Sequence, residues 1–137
     1  MSQRRIDVFF YGLFMDAGLL REKEVEPVDT RVASLPGFAL RIGQRATLVP
    51  DANARVYGVL MALTHGEVDK LYSEASVRAY RPEAVLVELD DGSRRAALCF
   101  NLVAPPGPGD TNPDYAAKLR DLASRLRLPA DYVKTIR

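Results

Sequence analysis

A series of short apolar segments, each followed by a residue that interrupts regular structure, constrains the fold of this chain more than any other feature. Residues 31–34, 38–42, 46–49 and 56–63 are apolar, and Gly, Pro or Asn separates each segment from the next. This spacing is typical of consecutive short strands joined by tight turns. The sequence therefore predicts an antiparallel sheet or a barrel in this region.

Further strands are predicted on both sides of that region. Residues 84–89 and 96–102 flank residues 90–93, whose Asp-Gly pair tolerates the positive φ angles of a hairpin turn. Residues 6–11 are rich in β-branched and aromatic side chains and stop at Gly12, as expected for a buried strand that ends in a tight loop. The chain is thus expected to contain a first strand, several central strands and a hairpin.

Helix signals occur at three places. Residues 15–23 could form a short helix, which the following proline would end. Thr64 is a candidate N-cap, and Glu67 lies at the capping-box position three residues later. Asn112 and the proline after it are typical of an N-cap and a first helical turn. The apolar residues that follow have helical spacing: Tyr115, Leu119, Leu122 and Leu126. A short final turn is expected after Pro129.

The size and charge of the chain limit its organisation and its partners. With 137 residues, 47% of them hydrophobic, it can enclose one core but not two, so a single domain over residues 1–137 is expected. The Pro- and Gly-rich stretch 104–110 is interpreted as a surface connector within that domain. With a net charge of +1, the chain lacks the excess of basic residues that favours binding to nucleic acid or to an anionic membrane. A small-molecule substrate and a monomer or homodimer are expected.

Cysteine and histidine usage excludes several kinds of site. One His and one Cys cannot form a conventional structural zinc site, and the common nucleotide and serine-hydrolase motifs are missing. No metal and no cofactor are therefore expected. Cys99 lies in an apolar run and is interpreted as a core residue, while His65 is interpreted as an exposed residue at a helix start. A lone cysteine fits a reducing, cytoplasmic setting, and the N-terminal apolar stretch is too short for a signal peptide or membrane span.

The loop after the first strand is one candidate binding site. Tyr11-Gly12-Leu13-Phe14 places a glycine where backbone amides can approach a ligand and point at its oxygen atoms, which suits a carboxylate. Met15 continues this loop. The alternative is that Gly12 only permits a turn and that its neighbours belong to the core.

Glu74 is the candidate acid. It follows the predicted helix 66–73 and precedes Tyr80, so its carboxylate can face a pocket. In a partly desolvated pocket such a group can accept or donate a proton near neutral pH. The alternative is a solvated charge at a helix end. The nearby Arg78 and Arg81 are interpreted as solvated loop residues.

Several short pieces of sequence carry a resemblance to a known family. In chain order they are Phe9-Phe10-Tyr11-Gly12, Val56-Tyr57-Gly58-Val59-Leu60, Val68-Asp69-x-Leu71-x-x-Glu74, Tyr80-Arg81-Pro82-Glu83-Ala84-Val85, and Asn112-Pro113-Asp114-Tyr115 with Leu128-Pro129-Ala130-Asp131-Tyr132. In this order the whole chain resembles the gamma-glutamylcyclotransferase and AIG2-like families. Their first strand ends in Tyr-Gly-Ser or Tyr-Gly-Thr, and one of their helices ends in Leu-Asp-x-x-Glu.

The resemblance implies an α+β fold, a small mixed β-barrel with flanking helices. It also implies an enzyme that converts a gamma-glutamyl amide or amine to 5-oxoproline, with Glu74 as general acid and base. The residues that it implies for substrate binding are Tyr11, Gly12, Leu13, Phe14, Met15 and Tyr80. Ring closure is intramolecular, so one base and a folded substrate meet most of the chemical demand without metal or cofactor.

Some positions depart from the family pattern. Leu13 and Phe14 stand where cyclotransferases carry Ser and usually Asn, and Phe100 stands where the family often has Tyr. Ala75 replaces the usual Gly after the acid. A polar pocket wall thereby becomes apolar, which points away from glutathione and simple gamma-glutamyl amino acids as substrates. Two functions stay open: an enzyme that uses Glu74, or a non-catalytic binding or regulatory module with the same pocket.

Overall fold

The structure is a computed structural model that describes residues 4–107 and 109–137. Pro108, within the predicted connector 104–110, lies outside the described residues. The strands of the described residues are β1 Arg5–Phe10, β2 Val28–Ile42, β3 Ala46–Thr64, β4 Tyr80–Leu89 and β5 Arg94–Leu102. The helices are α1 Ala17–Glu22, α2 His65–Leu71, α3 Pro113–Arg125 and α4 Ala130–Thr135, with a 3-10 turn at Leu13–Met15.

These strands close into a mixed barrel in the order β1-β3-β2-β4-β5. Neighbouring strands are antiparallel except at the closure, where β1 runs parallel to β5 with Val8 opposite Leu98. Closure removes the open sheet edges that would otherwise template aggregation. The α+β fold and the small mixed barrel with flanking helices are confirmed.

The central region forms two long strands rather than the four short ones that the sequence predicts. β2 has 15 residues and β3 has 19, and they pair along most of their lengths. The sequence predicts a break within β2 at Pro36-Gly37 and another within β3 near Pro50. A register shift between Pro36 and Phe38 instead lets the β2–β3 ladder continue past the first of these positions. A bulge of this kind bends a strand without ending it.

Local signals placed several elements correctly. Thr64 and Glu67 form the predicted capping box at the start of α2. The predicted hairpin joins β4 and β5, with Gly92 at a φ of 85° in its turn. The segment 15–23 differs from the prediction, because Asp16 ends the 3-10 turn and its side chain caps α1 by accepting a bond from the Gly18 amide.

β4 also begins earlier than predicted. It starts at Tyr80 and includes Pro82, opposite Phe100 of β5. β4 pairs with β2 over only Ala33↔Leu89 and Ser34↔Glu88 among the described residues. Proline is tolerated on the side of a strand where no ladder bond is needed.

The core fills the barrel and the space beneath α3. Leu119 and Ala123 of α3 are fully buried, and Ile136 anchors the chain end beyond α4. Burial of such apolar faces is the main favourable contribution to folding. No helix among the described residues is long and apolar enough to span a membrane.

Candidate functional site

A cavity of about 390 Å³ lies where β1 leaves the barrel. Its volume is within the range of small-molecule sites. The wall is largely aromatic and includes Phe10, Phe14, Tyr72, Tyr80, Phe100 and Tyr115. The site therefore suits a ligand with substantial apolar surface.

The aromatic side chains of the wall support one another. Tyr72 stacks on Phe100, with ring centroids 3.9 Å apart and planes 15° from parallel. Phe14 meets Tyr72 edge-on at 5.8 Å, an arrangement that the ring quadrupoles favour. Tyr80 donates a hydrogen bond to the Ala46 carbonyl, and burial raises the pKa of Tyr80 to about 12. Its hydroxyl is thus a protonated donor at neutral pH that ties β4 to the start of β3.

The loop from Tyr11 to Phe14 lines this cavity. The Tyr11 hydroxyl lies 2.7 Å from the Phe100 carbonyl oxygen and 3.0 Å from Asn101 Oδ1, in a buried position. Burial raises the pKa of Tyr11 well above its usual value. Tyr11 therefore contributes its ring to the wall, while its hydroxyl holds the loop against β5.

Gly12 is required by close packing rather than by an unusual backbone angle. Its φ of −112° is accessible to any residue, but a Cβ built there would lie 2.7 Å from the Tyr115 hydroxyl. Burial raises the pKa of Tyr115, and a hydrogen bond from the Leu13 backbone lowers it by less. The first turn of α3 therefore packs directly on the loop, with the Tyr115 hydroxyl beside Gly12.

Met15 has a different place from its neighbours in the loop. It is 2% exposed and packs in the hydrophobic core, and its amide donates to the Gly12 carbonyl within the 3-10 turn. The structure thus brings Tyr11, Gly12, Leu13, Phe14, Tyr80 and Glu74 to one cavity. Met15 does not line that cavity and belongs to the core instead.

Glu74 lies on the rim of the cavity, in the turn after α2, with its side chain 41% exposed. Lys23, at the end of α1, contacts both carboxylate oxygens, at 2.7 Å to Oε1 and 2.8 Å to Oε2. The carboxylate is thereby held in one orientation at the cavity mouth. A charge-assisted pair of this geometry is stronger than a neutral hydrogen bond, although solvent screening reduces its contribution to stability.

Sequence reasoning missed several residues of the wall. Lys23, Gln44, Arg45 and Tyr72 line the cavity without having been singled out as binding residues, and Tyr115 was assigned only to the face of α3. The sequence could have indicated Tyr72 and Tyr115 as wall residues, because both are aromatic and lie inside or beside the pieces that resemble the family. Lys23 and Arg45 gave no such indication, because the sequence around an isolated basic residue is the same whether its side chain faces solvent or a cavity.

Cys99 and His65 do not line the cavity, in keeping with their interpretation from the sequence. Cys99 is fully buried in β5, and burial raises the pKa of its thiol to about 12, so it stays a neutral core residue. His65 is exposed at the first position of α2. Among the described residues, no group of three or more His, Cys, Asp or Glu side chains is arranged to hold a metal ion.

The fold and the site together define a class of α+β domains, closed mixed barrels with a ligand-sized cavity beside a Tyr-Gly loop. Residues 8–118 match the sequence profile of the family described as Gamma-glutamyl cyclotransferase, AIG2-like. The chain therefore belongs to that family.

Solved structures show the same fold. A protein named gamma-glutamyl cyclotransferase superposes with a TM-score of 0.81 at 20% identity, covering 98% of this chain and 89% of its own. An uncharacterised protein from Homo sapiens gives 0.80 at 20%, with coverage of 98% and 89%. YkqA from Bacillus subtilis gives 0.78 at 24%, covering 97% of this chain and 53% of its own. No curated protein sequence matches significantly.

Proposed function

We propose that the protein cyclises a gamma-glutamyl amide or amine to 5-oxoproline and releases the amine, with Glu74 as general acid and base. One observation carries the proposal: in a member of this family, the Glu74 carboxylate lines the same cavity as the Tyr11 to Phe14 loop. The loop and Glu74 are separated by more than fifty residues of sequence, so their meeting is a property of the fold.

The proposed reaction needs one proton carrier. Glu74 takes a proton from the substrate α-ammonium group, and the freed amine attacks the γ-carbonyl carbon. The bond between that carbon and the leaving nitrogen then breaks as Glu74 returns the proton to the departing amine. The second proton, which the attacking nitrogen loses as it becomes the lactam N–H, is passed by Glu74 to the same amine, which leaves as an ammonium ion. Neither water nor a cofactor is consumed, and holding the substrate folded supplies much of the rate enhancement.

Lys23 bears directly on the first step. It contacts both oxygens of Glu74, so the substrate ammonium competes with its ammonium group for the carboxylate. Exchange of one ammonium for another conserves charge at the rim and costs little, because the pair is partly solvated. The ion pair is therefore compatible with Glu74 as the base.

A second candidate function is a non-catalytic binding or regulatory module of the same fold. Leu13 and Phe14 favour it, because both line the cavity and replace the polar residues of cyclotransferases. An apolar wall can bind a ligand, but it orients a polar substrate less closely than a wall with polar side chains does. Under either function we propose a small-molecule partner rather than nucleic acid or membrane, a monomer or homodimer, and a cytoplasmic setting in keeping with the free, buried Cys99.

The test is release of 5-oxoproline from a panel of gamma-glutamyl amines and amino acids. Wild type is expected to turn over at least one compound, and Glu74→Gln to lose about 10²-fold or more of kcat, as for loss of a general base. Glu24→Gln is the matched control, since Glu24 is exposed and makes only a 3.7 Å surface pair with Lys70. Binding without release across the whole panel would favour the module, and full activity in Glu74→Gln would remove Glu74 from the mechanism.

A further inference from the structure

Arg45 lies at the junction of two cavities. It lines the aromatic cavity described above and also a second one of about 430 Å³, to which Gln44 is likewise common. The second cavity is bordered by Leu102, Val103 and Pro106, and Val103 is 79% exposed. An apolar surface beside a cation is therefore open next to the proposed reaction site.

The backbone around Arg45 is held from both sides. Tyr80 donates to the carbonyl of Ala46, the next residue, and the Asn112 amide donates to the carbonyl of Gln44 at 3.4 Å. A Cβ at Gly43 would lie 2.4 Å from Pro106, so the turn before Arg45 packs tightly against the connector. This support fixes where the side chain starts, which is a requirement for selective binding.

The charge of Arg45 is available to a ligand. Its guanidinium forms no ion pair with any described residue, and the side chain is half-buried. Asp110, the one acid among the described residues of the second cavity, accepts a hydrogen bond from the Gly107 amide at 2.8 Å. A half-buried guanidinium without a partner favours a carboxylate, which it can bind through two parallel hydrogen bonds.

We propose that Arg45 binds the carboxylate of the leaving group, so that the preferred substrates are gamma-glutamyl derivatives of apolar amino acids. This rests on the proposed function. The glutamyl end lies at the Tyr11 to Phe14 loop and Glu74, the leaving amine points toward Arg45, and its apolar side chain lies on Leu102 and Val103. The apolar wall at Leu13 and Phe14 disfavours gamma-glutamyl amino acids in general. Arg45 together with Leu102 and Val103 makes the apolar amino acids the exception.

The experiment compares two substrates that differ only in that carboxylate, gamma-glutamyl-phenylalanine and gamma-glutamyl-phenethylamine. Wild type is expected to favour the first in kcat/KM by about ten- to a hundredfold, the range for a hydrogen bond to a charged group. In Arg45→Gln the ratio of the two kcat/KM values falls toward one, mainly through KM of the first compound. Arg45→Lys keeps part of the preference, which a purely structural role would not produce.

Arg41→Gln is the matched control, because Arg41 is an exposed arginine of β2 close to the same turn, and it is expected to retain the full preference. Equal losses on both compounds in Arg45→Gln would overturn the inference, since Arg45 would then bind the glutamyl end or support the fold. A wild type without preference would overturn it as well.

Calorimetric titration of both compounds separates this inference from the proposed function. If neither compound releases 5-oxoproline, the proposed reaction fails, but tighter binding of the carboxylated compound that disappears in Arg45→Gln still supports the assignment of Arg45. Equal affinities for the two compounds, or no binding of either, would overturn it.

Discussion

At the residue scale, the competition between Lys23 and the substrate for Glu74 gives a direct prediction. Lys23→Gln removes the ammonium group that contacts both carboxylate oxygens. The substrate ammonium then binds without displacing a competitor, so KM for gamma-glutamyl substrates is expected to fall by up to about fivefold, equivalent to about 1 kcal/mol for an exposed pair. Steady-state kinetics on wild type and variant measure it.

Lys70→Gln serves as the control, because Lys70 is an exposed lysine of α2 whose ion pair with Glu24 is 3.7 Å long. Its kinetic constants should match those of wild type. A higher KM in Lys23→Gln would mean that Lys23 attracts the substrate rather than competing with it, which would contradict the prediction.

The same ion pair shows what the sequence could and could not predict about the site. Glu74, Tyr80 and the Tyr11 to Phe14 loop were found because each belongs to a short local piece with its own pattern. Lys23 and Glu74 are 51 residues apart. The local sequence around a lysine after a short helix is the same whether its side chain is solvated or forms an ion pair. Contacts of this kind depend on how the barrel brings distant turns together.

At the scale of elements, Gly58 holds β1 close to β3. A Cβ at this position would lie 2.2 Å from the Phe10 carbonyl oxygen, which is a backbone atom and cannot rotate away. Gly58→Ala must therefore separate the two strands next to the Tyr11 loop. We expect a loss of about 3 kcal/mol or more in the free energy of unfolding, measured by urea denaturation.

Gly66→Ala is the matched control. Gly66 lies in the first turn of α2, and nothing stands within 4 Å of a Cβ built there. Alanine is a better helix former than glycine, so the control is expected to be stabilised by up to about 1 kcal/mol. A Gly58→Ala protein as stable as wild type would show that β1 and β3 can move apart without loss.

Glu67 links helix capping to pH. Its Oε1 accepts a bond from the Thr64 amide at 2.9 Å and its Oε2 accepts one from the Glu26 amide at 2.8 Å. Burial raises the pKa of Glu67. The hydrogen bonds from the Thr64 and Glu26 backbone amides and the charge of Arg5 together lower it by more, so the pKa lies below its ordinary value. A lowered folded-state pKa stabilises the fold above the unfolded value and loses this effect as the pH falls through the folded value.

Glu67→Gln should therefore be less stable than wild type by about 1 kcal/mol at pH 7, the usual size of a capping interaction. The difference should shrink as the pH falls below the ordinary glutamate pKa of 4.5, because wild type then becomes neutral at this position too. Denaturation of both proteins between pH 7 and pH 3 measures it. A difference that stays constant over this range would exclude the charge as its source.

The elements also show why local patterns predicted the fold only in part. The capping box at Thr64 and the turn at Gly92 are decided by neighbouring residues, and both were predicted. Pro36 and Gly37 gave equally clear signals for a strand end, yet β2 continues through them, because pairing with β3 on both sides of the bulge outweighs the local preference. Strand length is thus a property of the closed barrel rather than of each segment.

At the scale of the whole molecule, buried weak acids accumulate around the barrel interior. Burial raises the pKa of the Cys99 thiol and of the Tyr80 hydroxyl to about 12 each, and it also raises the pKa of Tyr11, Tyr72 and Tyr132. In the unfolded chain these groups lose their protons near 9.0 for Cys and 10.0 for Tyr. The folded state therefore holds more protons than the unfolded state at alkaline pH.

The sign of the effect follows from linkage. A group whose folded-state pKa is raised contributes its full stabilisation below the unfolded value and loses it as the pH rises through the folded value. Each such group then removes about 1.4 kcal/mol of stability per pH unit. Wild type is expected to keep a constant free energy of unfolding from pH 7 to about pH 8.5 and to lose stability steeply from about pH 9 toward pH 12.

Cys99→Ala identifies one contributor to this slope. The variant loses the packing of a fully buried sulfur and should be less stable than wild type by about 1 kcal/mol at pH 7. It also lacks the group with the lowest unfolded-state pKa, so its stability should begin to fall about one pH unit later. Because the thiol costs wild type about 1.4 kcal/mol per pH unit above about pH 9, the two curves should cross at about pH 10, and the variant should be the more stable protein at about pH 11. Urea denaturation from pH 7 to pH 11 measures both curves. Parallel curves would show that the thiol ionises equally in the folded and unfolded chains, and a flat wild-type curve would show that the barrel interior admits charge without loss of structure.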